Sequence, residues 1–206
     1  MKKGQHHGSL AQALADAALV ILDTVGVEGV TIRATARAAN VSHAAPANHF
    51  PDRRALLTAI AIRCFEEMIT EANVAREKAA TPAERLAAFA DAYVSYGLAY
   101  PNRYRMMWRM DMLDDSVTAL SGMIDGIYAS IGDDVSALPN VQRDTTTTKL
   151  VALASLIHGY VSMRIDGNFI AAADEATGEP RHIAMIKAVI GVTNHGGAEA
   201  HHPGNR

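Results

Sequence analysis

The chain has a single cysteine, Cys64, so no disulfide can form within it. That position falls inside a helical pattern and reads as a buried, inert thiol. No stretch reaches the roughly 18 apolar residues of a membrane span. The first residues show no basic segment followed by an apolar one, so no secretory signal is read there. A soluble cytoplasmic protein with no membrane contact is expected. Alternating β-branched runs are scarce and alanine is abundant, which favours helices over strands. Internal repeats, a phosphate-cradling glycine loop and a nucleophile–base–orienter set are all missing. An enzyme is therefore not expected, and neither is a cofactor. His6 and His7 have no third ligand nearby, so no metal site is expected either.

What is present is an ordinary globular composition, 49% hydrophobic and 20% charged over 206 residues. That suffices for a real core and one or two domains. The net charge of −3 argues against a nucleic-acid binder, but its distribution does not. Residues 1–63 carry seven Lys/Arg against four Asp/Glu, and the rest carry twelve against eighteen. A small basic part is joined to a larger acidic one, the coarse footprint of DNA binding at one end.

The periodicity divides the basic part into short helices. Ser9 is a candidate N-cap for a first helix in which Leu10, Leu14, Ala17, Ala18, Ile21 and Leu22 share a face. Gly26 closes it. Thr31 caps a second helix, with Ile32, Ala36 and Ala39 on one side. Asn40 tolerates the left-handed conformation that ends it, Val41 plugs the corner, and Ser42 is the candidate cap of a short third helix through His49. Pro46 falls early in that helix, where its missing N–H should cost little. Phe50 anchors its end in the core, and a fourth helix starts at Pro51-Asp52. Two core helices thus hold a third whose outer face is small and polar, the helix-turn-helix arrangement, whose last helix fits a major groove.

The rest of the chain reads as a second helical domain. Helices are expected over about 81–98, to 112, 115–131 (interrupted by Gly122 and Gly126), 140–166 and 180–192. A loop is expected at 132–140 and a disordered tail at the end. The fold class is all-α: an N-terminal three-helix DNA-binding domain (1–65, including the start of the connecting helix) followed by a second helical domain (66–194) and a tail (195–206).

Candidate sites follow from residue chemistry. Ser42, His43, Ala44 and Asn48 are placed to meet base edges or nearby phosphates; Asn can pair with adenine and Ala44 can meet a thymine methyl. Thr31, Arg33 and Thr35 at the start of the second helix suit phosphate, as do Arg53 and Arg54 at the start of the fourth. Lys2 and Lys3 are candidates for a minor-groove arm. His49, beside Phe50, is either a DNA contact or a partner within the head. In the second domain, Phe89, Tyr93, Tyr96, Met107, Trp108, Met123 and His158 combine apolar bulk with a few polar tips, and either fill a core or line an adaptable apolar pocket.

The chain resembles the TetR-type transcriptional regulators. Over 6–65 the similarity rests on HHGSL, on the G-x-E-G-V-T that ends the first helix, and on ATARAANVSHAAPANHFPDRRALLTAIA, with Gly26, Thr31, Ala36, Val41, Ser42, His49, Phe50 and Leu56 as anchors. Downstream, AYVSYGLAYPNRYRMMW (92–108) and SLIHGYVSMRIDGNF (155–169) resemble one C-terminal subclass, with its His-Gly helix and Asp-Gly turn. Two positions depart from the family pattern: Asn40 stands where glycine is usual, and Ala47 where a phosphate-binding tyrosine is usual. Losing that tyrosine removes one positioning contact of about 1 kcal/mol and no base readout.

The resemblance implies a repressor, homodimeric on near-palindromic double-stranded DNA and released by a small apolar or aromatic effector, with 66–194 as its helical ligand-binding and dimerisation domain. The two reading heads would sit roughly 34 Å apart. The dimer is expected to form from helices at about 145–165 and 181–192, where Ala152, Ala154, Ser155 and Gly159 permit close approach and Ala154 and Val161 face the partner. Two other readings stand beside it: a ligand-sequestering protein whose DNA head has weakened, and a helical enzyme working in the Tyr/Trp/His region.

Overall fold

The computed structural model describes residues 5–139 and 145–191, with side chains from Leu10 onward. The expected Lys2–Lys3 arm, the side chains of His6, His7 and Ser9, and the tail at 195–206 lie outside the described residues. Eight α-helices are found among them: α1 Gln5–Val25, α2 Ile32–Ala38, α3 Arg53–Arg76, α4 Pro82–Ala99, α5 Pro101–Met107, α6 Thr118–Ser136, α7 Thr146–Ile165 and α8 Arg181–Ile190. The described residues contain no strand, only an isolated bridge between Ala173 and Pro180.

Helix α1 starts at Gln5, so Ser9 lies inside it rather than capping it. Leu14, Ala18 and Leu22, one turn apart, are wholly buried, and Gly26 ends the helix with φ 92° while donating to the Leu22 carbonyl at 3.0 Å. Thr31 caps α2 by accepting from the Ala34 N–H at 3.1 Å. The far end of α2 is closed by Asn40 at φ 55°. Asn40 N–H reaches the Arg37 carbonyl at 3.1 Å and Val41 N–H the Ala36 carbonyl at 3.0 Å, a Schellman pair that satisfies two carbonyls left over at the helix end.

The expected third helix is not an α-helix. Residues Ala45–Asn48 form one 3₁₀ turn. With Ser42 as cap, the first i→i−4 bond would need the N–H of residue 46, and Pro46 has none. The chain instead closes i→i−3 bonds, Ala45 N–H to Ser42 at 3.0 Å and His49 N–H to Pro46 at 2.9 Å. Pro46 is buried and Phe50 is 8% exposed, so the turn is pinned at both ends. Asp52 then caps α3, accepting from the Ala55 N–H at 2.8 Å.

Helix α3 runs from the head into the body, and the boundary expected at 65/66, which already gave the start of this connecting helix to the head, falls inside it. Its buried residues, among them Leu56, Ile60, Phe65, Met68 and Ala72, belong to one continuous apolar cluster that reaches from α1 to α8. Helix α4 opens on a capping box, with Thr81 and Glu84 exchanging side-chain and backbone bonds and Pro82 at the first turn. Gly97 lets α7 approach α4 closely: a Cβ there would lie 2.5 Å from Val161 Cγ1. Val161 is therefore buried within its own chain, not on a partner-facing side as expected.

Helix α6 is neither interrupted at Gly122 and Gly126 nor ended at 131, and it occupies most of the expected loop. Isolated glycines cost only about 1 kcal/mol each in a helix. Burial of Ile131, Asp134 and Val135 holds the extension in place. Helix α7 begins at Thr146, and residues 140–144 lie outside the described residues.

Candidate functional sites

The first site is the surface of the head. Thr31, Arg33, Ser42, His43, Ala44, Ala47 and Asn48 are exposed there. His49 is half-buried, its ring 6.5 Å from that of Phe50. Two expected contact residues are placed otherwise. Thr35 is 1% exposed and its hydroxyl has no partner among the described residues, because the face of α2 carrying it also carries Ala36 into the core. Arg53 is committed to the backbone: Nε donates to the Val30 carbonyl and Nη2 to the Val27 carbonyl, both at 2.7 Å. It fastens the α1–α2 connection to α3. Its neighbour Arg54 is the exposed guanidinium at that helix start.

The second site is a cavity of about 330 Å³ among α4, α5, α6 and α7. Phe89 and Tyr93 reach it from α4, Trp108 from the end of α5, and His158 from α7. Tyr96, Met107 and Met123 do not line it. The first two are buried elsewhere, and the Tyr96 hydroxyl is spent on Glu67 at 3.4 Å. One wall that the residue types alone did not reveal comes from α6: Ile124, Ile127, Tyr128 and Ile131, spaced as one helical face. Val151, Ala154, Ser155 and Ile157 of α7 complete the lining, so Ala154 serves the cavity. The signal was in the sequence, since I-x-x-I-Y-x-x-I is a strict stripe, but the neighbouring glycines masked it.

Polar groups in the wall form one short chain. The Tyr104 hydroxyl lies 2.7 Å from His158 Nδ1, and the Tyr93 hydroxyl 3.1 Å from that of Tyr104. Burial pushes the Tyr104 hydroxyl up to about 12 and Tyr93 well above its ordinary value. Burial also pulls His158 below its ordinary value, so the imidazole is neutral at pH 7 and the network carries no charge. Trp108 packs edge-on to His158, centroids 5.2 Å apart. Its Nε1 is sealed from solvent and, among the described residues, makes no hydrogen bond of ordinary geometry, although the Tyr93 hydroxyl lies near enough to feel it.

Three sets of interactions join this cavity to α3. The Trp108 ring stands on Phe65 of α3, centroids 5.4 Å apart at 86°. At the other end of α3, Arg76 Nη2 meets Asp134 Oδ2 of α6 at 2.5 Å, while Arg85 Nε of α4 meets Asp134 Oδ1 at 2.6 Å. Arg103 of α5 bridges Asp23 of α1 and Glu67 of α3, at 2.7 Å each. Cys64, beside this last cluster, is wholly buried, and burial pushes its thiol up to about 12, consistent with an inert core residue.

Comparison with known proteins bears first on the body. Residues 86–187 match the tetracyclin repressor-like, C-terminal domain. This TetR-like segment runs from α4 into α8 and contains every residue that lines the cavity. Over most of the chain the fold is shared with solved structures. A protein of unknown function from Rhodococcus sp. RHA1 is 27% identical, with a TM-score of 0.72 over 92% of this chain and 96% of its own. A TetR-like transcriptional regulator, also from Rhodococcus sp. RHA1, superposes with a TM-score of 0.65 at 13% identity, covering 88% of this chain and 93% of its own. A TetR transcriptional regulator of Streptomyces coelicolor gives 0.58 at 24% identity, over 76% and 70%. No curated protein matches the chain. Among the described residues, no helix is long and apolar enough to cross a membrane.

Proposed function

We propose that the chain is a TetR-type transcriptional regulator: a homodimeric repressor that binds a near-palindromic operator and is released by a small apolar effector. The observation that carries the reading is the pairing of two sites on one helix. A head presenting Ser42, His43, Ala44 and Asn48 to solvent begins α3, and an apolar cavity abuts the same helix through Phe65 and Arg76. Thr31, Arg33 and Arg54 are the phosphate-contacting candidates, and Ser42, His43, Ala44 and Asn48 the base-reading ones. His49 supports the turn from within. Thr35 and Arg53 leave the contact set because burial and backbone bonds already occupy them.

The dimer face is the outer side of α7, where Ala152 and Met163 are exposed and, among the described residues outside its own helix backbone, a Cβ at Gly159 would meet nothing within 4 Å. With α8 it would form a four-helix bundle across a twofold axis. Two heads on one rigid dimer compensate for the few contacts each makes.

A gel shift on the DNA upstream of the chain's own gene, run across a salt series, tests the reading. Binding should weaken by orders of magnitude between about 50 and 200 mM salt, because phosphate contacts release counterions. A salt-independent shift would remove the operator reading. The single 3₁₀ turn at Ala45–Asn48, together with Ala47, favours one rival, a ligand-sequestering protein with a weakened head. No retention of DNA even at low salt, with ligand binding intact, would select that rival.

A further inference from the structure

We infer that the cavity takes a neutral, largely apolar molecule carrying one hydrogen-bond-accepting oxygen, and that this oxygen is held by the Nε2–H of His158. The inference rests on the effector reading above and narrows it to a chemical class. Three observations carry it.

First, among the described residues no Asp, Glu, Lys or Arg lines the cavity, and a charged ligand would there have to shed its water without a counter-ion, which is strongly unfavourable. Second, the hydroxyl chain orders the imidazole. The Tyr93 and Tyr104 hydroxyls lie 3.1 Å apart and Tyr104 lies 2.7 Å from His158 Nδ1; we assign Tyr93 as the donor to Tyr104 and Tyr104 as the donor to Nδ1. Nδ1 is then an acceptor, and a neutral ring must carry its proton on Nε2. Among the described residues, nothing hydrogen-bonds Nε2. Third, the other unmet polar group of the wall, Trp108 Nε1, is also an N–H. The unmet groups of the interior are donors, while the Tyr128 and Ser155 side chains stand at the open side, where water can serve them.

A hydrocarbon would leave Nε2–H desolvated and unpaired, and that penalty exceeds the gain from a bond made. A ketone, ester or lactone of compact size meets the requirement. About 330 Å³ is near the lower end of the range for small-molecule sites.

The test uses the full-length wild-type protein and the emission of Trp108, the sole tryptophan and part of the cavity wall. Three probes are titrated: methyl hexyl ketone, the hydrocarbon in which its C=O is replaced by a methylidene group, and octanoate. The ketone should bind roughly two- to tenfold more tightly than its hydrocarbon isostere, the range expected for one net hydrogen bond, and more tightly than octanoate. In His158→Phe, which keeps a ring but no donor, the ketone's advantage should vanish. Equal affinity for ketone and hydrocarbon in the wild type, or tightest binding of octanoate, overturns the inference and leaves the cavity reading standing. No emission change with any of the three removes the cavity reading and the inference with it. The wild-type comparison decides the matter even if His158→Phe does not fold.

Discussion

Asp134→Ala should be among the most damaging single changes outside the apolar core. The carboxylate is 6% exposed and lies between Arg76 Nη2 at 2.5 Å and Arg85 Nε at 2.6 Å. Removing one partner of a buried ion pair costs about 3–5 kcal/mol, because the other charge is left without compensation. The two arginines do not share this loss equally. The Arg85 side chain is 31% exposed and can turn to water, whereas Arg76 is 15% exposed with a buried Nε that has no partner among the described residues. Most of the loss therefore falls on Arg76, and about 3 kcal/mol is the expected total. Urea unfolding followed by Trp108 emission measures it as a fall in midpoint at unchanged slope. The double variant Arg76→Met/Asp134→Leu, which replaces the pair with apolar groups of similar reach, should recover most of that stability. A loss below about 1 kcal/mol for Asp134→Ala, or a double variant no more stable than the single, would refute the placement of this pair as a buried clamp.

Three further outcomes are expected. Arg53→Ala should lower head stability by about 1–2 kcal/mol through loss of its two carbonyl bonds, read by hydrogen exchange in α1 and α2, whereas Arg54→Ala should leave stability alone and reduce the salt slope of DNA binding by about one. Ala152→Arg, on the exposed side of α7, should place an unpaired cation in the dimer contact and give a folded monomer in sedimentation; a dimer of unchanged affinity would move the interface elsewhere. Gly97→Ala should cost about 1–3 kcal/mol by overpacking, since its Cβ would press on Val161 Cγ1 at 2.5 Å and Tyr104 Cδ2 at 3.0 Å, and thermal unfolding would show no change if the two helices can part freely.

The rules of helix termination were readable in part. Thr31 and Asn40 end up in the roles their residue types announce, because a cap or a left-handed turn depends on near neighbours alone, whereas Ser9 lies inside α1 and α6 runs past 131. Pro46 was legible too, but its effect depends on register: one position earlier, at the third helical residue, the missing N–H would have broken no intrahelical bond. The cavity was harder. Phe89, Tyr93, Trp108 and His158 could be named as aromatic groups with polar tips, yet only packing decides that the Tyr96 hydroxyl turns to Glu67 instead. The α6 wall went unread because glycine propensity argued for breaks that tertiary burial overrides. Arg53 and Arg54 are chemically identical neighbours, and which one faces solvent depends on carbonyls more than twenty residues away.

The length of α3 sets how a cavity of this size can act at a distance. Its 24 residues at about 1.5 Å rise make a rod of about 36 Å. On the function proposed above, the rod, held by Phe65 near its middle and by Arg76 at its end, would work as a lever whose far arm carries the head. A tilt of about 5° about the Arg76 end displaces the Arg53 end by about 3 Å, and a twofold axis doubles any outward component. The mechanical advantage implies that an effector's potency follows how far its outline pushes the α6 wall, not how tightly it binds. In a homologous series of ligands, operator release and ligand affinity should then rank differently; identical ranking would show that the lever does not operate.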